Sequence, residues 1–215
     1  MKPLPKISFI LPTLGREEGL KKCLESIMSL NYPQEKIEVI IIKDEPRIGV
    51  PKRVKEGVEK STGEYIVYAA NDMEFYPDCI INALHESQGK ALLTFNTGPV
   101  LPDEGNICEH FMIRKSFLPQ IGGEIFDTDF NHVGVDNILW TKCKLLNQAI
   151  RCESAHVIHH HFSTIGEKDE IYNIAWETES LIRDRKLFIK KMKELGVESE
   201  VVKGIKRWLK QYAPD

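Results

Sequence analysis

Three short polar clusters carry most of the reactive groups in this 215-residue chain: Pro12-Thr-Leu-Gly-Arg16, Lys43-Asp44-Glu45 and Asn71-Asp72-Met-Glu74. Each closes an apolar run of strand length, and in open parallel sheets ligands bind beyond the carboxyl ends of the strands. Carboxylates gathered there with hydroxyl and amide groups suit a divalent cation that bridges phosphates. Asp72 and Glu74 are two residues apart, so an extended backbone would turn both the same way. The same spacing relates His159 to His161 in the run His159-His160-His161, which follows another apolar segment. Arg47, Lys52, Arg53 and Lys55 form a basic cluster that either holds diphosphate charge or solvates a helix face. There is no G-x-G-x-x-G after the first apolar run and no G-x-x-x-x-G-K-[ST] anywhere. A nicotinamide dinucleotide site and a P-loop both lose their main support.

The elements that must position these groups alternate in kind. Residues 6–11, 37–42 and 65–69 read as buried strands by length and β-branched content, the second as covered on both faces. Between them Leu20, Cys23, Leu24, Ile27 and Met28 recur at helical spacing over 17–30, and Val54 and Val58 mark a helix over 51–60. Strand, helix, strand, helix, strand implies right-handed crossovers and a doubly wound parallel sheet. Further on, the pattern predicts a helix over 78–88, a strand over 91–95 and a Gly- and Pro-rich loop over 97–106. A strand over 108–113, a helix over 135–146 with Ile138, Leu139, Cys143 and Leu146 inward, and a strand over 150–158 follow. From about residue 171 the chain reads as amphipathic helix.

Composition narrows the class of protein. With 42% hydrophobic and 28% charged residues the chain is globular rather than disordered. Lys and Arg total 29 against 32 Asp and Glu, a formal charge of -3, without the basic footprint of a nucleic-acid coat. No apolar stretch reaches the roughly 18–20 residues that cross a bilayer. Five scattered cysteines with no C-x-x-C pair read as reduced thiols of a cytoplasmic protein.

Four segments, in order, carry a family resemblance. They are Ile10-Leu-Pro-Thr-Leu-Gly-Arg16; Ser61-Thr-Gly-Glu-Tyr-Ile-Val-Tyr-Ala-Ala-Asn-Asp-Met-Glu-Phe-Tyr-Pro-Asp78; Ile121-Gly-Gly-Glu-Ile-Phe-Asp127 with Gly134-Val-Asp136; and His156-Val-Ile-His159. Together they are similar to the motifs of family 2 glycosyltransferases, inverting enzymes of the GT-A fold that use nucleotide-sugar donors. The resemblance implies an α/β, Rossmann-like fold: a mostly parallel central sheet with helices on both faces, plus C-terminal helices. It implies a glycosyltransferase domain over 1–165, with a nucleotide-sugar half over 1–96 and an acceptor half over 97–165. Residues 166–215 would be a helical extension packed on the same domain.

Roles carry over position by position. The resemblance implies Asp72 as the principal ligand to Mn²⁺ or Mg²⁺, being the last acid of the family's D-x-D, with Glu74 and His159 beside it. Ala70 stands where many relatives carry the first acid. It implies Asp136 as general base, kept ionised by the start of a helix, although Val135 replaces the acid that usually precedes it. Pro12, Thr13, Arg16, Asp44, Lys55, Asn71 and Asp72 fall in the donor pocket, with Lys43 where relatives place the acid that meets the nucleobase. Gly123, Trp140 and His161 fall on the acceptor side. The alternatives are plain helix caps for Asp72 and Asp136, core packing for Trp140 and structural roles for the histidines.

The expected activity is therefore sugar transfer, with inversion, from a UDP-, dTDP- or GDP-linked donor to a glycan or lipid-linked acceptor, with no nucleic-acid partner. A GT-A domain that binds without turnover is the rival, and Ala70, Lys43 and Val135 favour it. A nucleotidyltransferase would need a richer glycine loop than Leu14-Gly15-Arg16-Glu17, and a histidine-based hydrolase lacks a ligand set. Residues 183–210 hold ten Lys and Arg against four Asp and Glu, interleaved with apolar residues. Such helices either lie on the inner face of an anionic membrane or cover the sheet with a solvated basic face.

Overall fold

The computed structural model of the protein describes residues 3–98, 108–160, 178–198 and 200–212. The loop expected over 97–106 and the start of the C-terminal helix lie mostly outside these ranges. Strands β1 (Ile7–Thr13), β2 (Ile37–Lys43) and β3 (Tyr65–Tyr68) form the expected parallel unit. A three-residue strand, β4 (Met73–Phe75), interrupts what reads as loop. Next come β5 (Leu92–Asn96), β6 (Phe111–Arg114) and β7 (Ala149–His159). The order is β2-β1-β3-β6-β5-β7-β4. β7 is parallel to β5, β6 is antiparallel to both β3 and β5, and β4 is antiparallel to the end of β7. The sheet is thus the expected α/β sheet, made mixed by strands whose direction apolar patterning does not encode.

Helices α1 (Glu17–Met28), α2 (Val50–Lys60), α3 (Cys79–Glu86), α4 (Val135–Leu145), α5 (Thr178–Glu194) and α6 (Glu200–Tyr212) divide between the two faces. The pleat does the sorting. Phe9 and Leu11 of β1 join Cys23 and Ile27 of α1 and Ile80 and Ala83 of α3 on one face. Ile10 joins Val54, Ile138, Leu139, Phe188, Met192 and Val202, from α2, α4, α5 and α6, on the other. The C-terminal helices α5 and α6 therefore cover the sheet. Among the described residues, no helix is long and apolar enough to cross a membrane. β2 departs from expectation: it is the edge strand, and Ile41 is 42% exposed. All five cysteines are buried free thiols, as expected.

Candidate active site

The carboxyl ends of β1 and β3 open on a cleft of about 770 Å³. Past Thr13 the backbone turns left-handed at Gly15 and at Arg16, with φ of 65° and 56°. For a non-glycine residue that costs about 1–2 kcal/mol. The turn starts α1 and sends the Arg16 guanidinium to Asp72, where Nη1 donates to Oδ2 at 2.7 Å. Asn71 locks the two strand-end loops together: its Nδ2 donates to Thr13 Oγ1 and to the Gly15 carbonyl, both at 3.0 Å. Gly19 permits this approach of α1, because a Cβ there would collide with the Asn71 carbonyl oxygen.

Two further strands bring groups to the same edge. Pairing of β4 with β7 sets Met73 against His159, and the His160 N–H donates to the Asp72 carbonyl at 2.9 Å. The His159 ring stands between two carboxylates, Nε2 3.5 Å from Asp72 Oδ1 and Nδ1 3.5 Å from Glu109 Oε2. Burial alone would lower this imidazole, but the Asp72 and Glu109 carboxylates outweigh it and hold it up at about 9. Glu109 and His110 arrive here because β6 is antiparallel, so residues just before its start meet the carboxyl end of β3. The His110 ring lies edge-on to His159 at 4.3 Å and stacks on Tyr68 at 6.0 Å. One ligand atom each from Glu109, His110 and His159 lie within 4.8 Å of one another. A carboxylate and two imidazoles at that spacing fit a divalent cation.

The opposite wall is the start of α4. Gly134 is left-handed with φ of 89°, and a Cβ there would come within 3.0 Å of the Phe188 ring. Asp184 of α5, wholly buried, holds the preceding loop through its carboxylate. Its oxygens accept from the backbone N–H groups of Asn131 at 3.0 and 3.2 Å, His132 at 2.8 Å and Val133 at 2.9 Å. Asp136 follows this clamp and lines the cleft. Burial pushes its carboxyl up to about 6, Glu109 adds to the rise, and hydrogen bonds from Asn137 oppose it. Desolvation thus outweighs the field of the helix start, which the position alone would make dominant.

The sequence-predicted residues divide. Pro12, Thr13, Arg16, Asp44, Asn71, Asp72, Asp136 and His159 all line the cleft. Asp44 is committed there, accepting from the Ile48 and Gly49 amides and from Arg53 Nε. Glu74 is outside the described lining and pairs with His160 at 2.8 Å; Asn71 and Asp72 form a turn ahead of β4, so the extended spacing that would align Asp72 with Glu74 does not apply. Lys55 is likewise outside, exposed and paired with Glu124 at 2.6 Å. Of the basic cluster, Arg47 and Lys52 reach the cleft, whereas Arg53 is turned to Asp44 and Glu56. Gly123 is an exposed turn residue, and Trp140 packs on the core with Lys144 Nζ 5.3 Å over its ring. Neither is in the described lining, and His161 lies outside the described residues. Sequence reasoning missed Glu109, His110, Asp184, Arg185 and Phe188. The adjacent acid and imidazole of Glu109-His110 were a signal, had the direction of β6 been known.

No protein-family profile matches the chain. A stretch of 44 residues is 34% identical to the probable glycosyltransferase YdaM of Bacillus subtilis (strain 168), covering 20% of this chain but only 10% of that protein. The whole architecture superposes on a mannosyltransferase, PcManGT from Pyrobaculum calidifontis, solved in complex with GDP-Man and Mn²⁺. Its TM-score is 0.66 at 14% identity, over 97% of this chain and 70% of that one. This chain has a glycosyltransferase fold. S. aureus TarS 1-349, solved in complex with UDP-GlcNAc, shares the fold with a TM-score of 0.67 at 14% identity, over 96% of this chain and 71% of that one. Against the longer TarS chain the coverage falls to 42% of that chain. In the glycosyltransferase fold of this chain, both the Asp72 cluster and Asp136 face one cleft.

Proposed function

We propose that this chain transfers a sugar from a nucleoside diphosphate to an acceptor hydroxyl, inverting the anomeric carbon, with Mn²⁺ or Mg²⁺. The observation that carries the reading is that Asp136, its carboxyl near 6, opens on the same cleft as Arg16, Asp72 and His159. A carboxylate of that value is mostly ionised at pH 7 and basic enough to accept a proton in the transition state. The acceptor oxygen attacks the anomeric carbon while its proton passes to the Asp136 carboxylate. The bond from that carbon to the diphosphate oxygen breaks, and its electron pair leaves with the diphosphate. Arg47, Lys52 and Arg185, all on the cleft wall, offset the charge that develops there. A divalent cation held beside the Asp72–His159 pair supplies Lewis-acid stabilisation of the same charge.

Residues 1–96 supply Thr13, Arg16, Asn71 and Asp72 to the donor, and residues 97–165 supply Asp136 to the acceptor. The donors bound by the two structural neighbours, GDP-Man and UDP-GlcNAc, support a choice among UDP, dTDP and GDP sugars. Exposed Lys203, Lys206, Arg207 and Lys210 on α6 suit contact with anionic lipid, where a lipid-linked acceptor would lie. A second reading, binding without turnover, is favoured by Asp44, whose oxygens serve the protein's own amides rather than a nucleobase. Asp136→Asn separates the two. Transfer should fall by roughly 10²–10⁴-fold while nucleotide diphosphate affinity, read by calorimetry, stays as in wild type. A mutant that transfers at the wild-type rate would place the base elsewhere; a wild type that binds but never turns over would establish the second reading.

A further inference from the structure

We propose that the cation of this site is held by Glu109, His110 and His159, with Asp72 orienting His159 from behind, and that this set selects Mn²⁺ or Zn²⁺ over Mg²⁺. The inference rests on the transferase reading and changes its metal chemistry. Asp72 is already committed: Arg16 Nη1 sits 2.7 Å from its Oδ2. Its other oxygen, Oδ1, faces His159 Nε2 at 3.5 Å, so both oxygens of Asp72 already face N–H groups of the protein. On the far side of the His159 ring, Nδ1 faces Glu109 Oε2 at 3.5 Å, close to the separation of two ligand atoms on one ion. His110, only 4% exposed, presents its ring beside them.

A His159 that ligates through Nδ1 keeps its proton on Nε2, which lies 3.5 Å from Asp72 Oδ1. That is the carboxylate–histidine–metal arrangement, in which an outer carboxylate fixes the tautomer and raises the basicity of the ligand. Two nitrogens and one carboxylate are a poor match for Mg²⁺, which prefers oxygen, and a good one for first-row ions along the series from Mn²⁺ to Zn²⁺. Ala70, which lines the cleft without a ligand atom, is consistent with a site displaced from the Asn71-Asp72 loop toward β6.

The test reads metal directly, without nucleotide or turnover. Mn²⁺ is titrated into the whole chain and followed by electron paramagnetic resonance, with pulsed detection of nitrogen coupling. Wild type should show imidazole nitrogen on the bound ion, Zn²⁺ should displace it, and Mg²⁺ at equal concentration should not. Glu109→Gln, at an exposed position that leaves the core untouched, and His110→Gln should each weaken Mn²⁺ binding by more than the roughly 10–100-fold that loss of an outer partner costs. Asp72→Asn should weaken it less than Glu109→Gln does. Absence of nitrogen coupling in wild type would overturn the assignment whatever the variants do. So would Mn²⁺ binding lost in Asp72→Asn but kept in Glu109→Gln. If the metal binds as described while neither UDP nor GDP binds the loaded protein, the transferase reading fails and the site stands.

Discussion

Asp136 is subject to two opposed effects. Aligned peptide dipoles at the start of a helix favour its charged form by about 0.3–1 kcal/mol, yet burial raises its carboxyl to about 6. Raising a carboxyl by one pH unit corresponds to about 1.36 kcal/mol, so desolvation wins. The sign then fixes two outcomes. A base near 6 is protonated below that value, so transfer should decline as pH falls through about 6 and level off above it; a rate flat down to pH 4 would exclude Asp136 as the base. A carboxyl raised in the folded state makes its contribution below the unfolded value, ordinarily near 3.8, and loses it as pH rises through about 6. At pH 8 the ionised group therefore costs stability. Asp136→Asn should be more stable than wild type at pH 8, by up to roughly 3 kcal/mol, and the difference should shrink by pH 4 in urea denaturation. Such a gain at the expense of activity is what a group held for chemistry rather than folding shows.

Among the elements, α5 has the largest effect on the site without touching substrate. Its Asp184 holds three backbone amides of the loop that delivers Asp136, and its Phe188 closes against Gly134. Asp184→Asn turns an amide group toward donors, and each unmet buried amide costs about 1–3 kcal/mol. The expected result is a protein less stable by about that amount, with lower kcat and an unchanged KM for the donor. A loss of stability with kcat intact would show that α5 supports the fold but not the base. This clamp was not legible in the sequence, because an Asp within the charge-rich run 183–186 reads as solvated surface. Strand direction was equally hidden. The apolar residues of 108–113 mark β6 as a strand, but only its antiparallel pairing with β3 puts Glu109 and His110 at the cleft. By contrast β1, α1 and β3 were legible from period and punctuation, and the loops after β1 and β3 fell where strand-end chemistry requires. Spacing, one helical turn beyond Asp136, leaves Trp140 open between an acceptor floor and core packing; the structure packs it against the core, outside the described cleft lining.

Across the whole molecule, the cleft is assembled from both ends of the chain. β1, β3 and β7 bring Thr13, Asp72 and His159 to one edge, while α5 and α6 close it with Arg185, Phe188 and Ile205. Helices α5 and α6 thus line the cleft as well as cover the sheet, and the described basic residues of α6 are exposed. Sugar transfer as proposed requires this cleft to take a nucleoside diphosphate together with a divalent ion. Calorimetric titration of the protein with UDP, dTDP and GDP, each with and without Mn²⁺, tests it most directly. One of the three nucleotides should bind, and Mn²⁺ should tighten it by at least about tenfold, or about 1.4 kcal/mol. A folded protein that binds none of the three, with or without Mn²⁺, would contradict it.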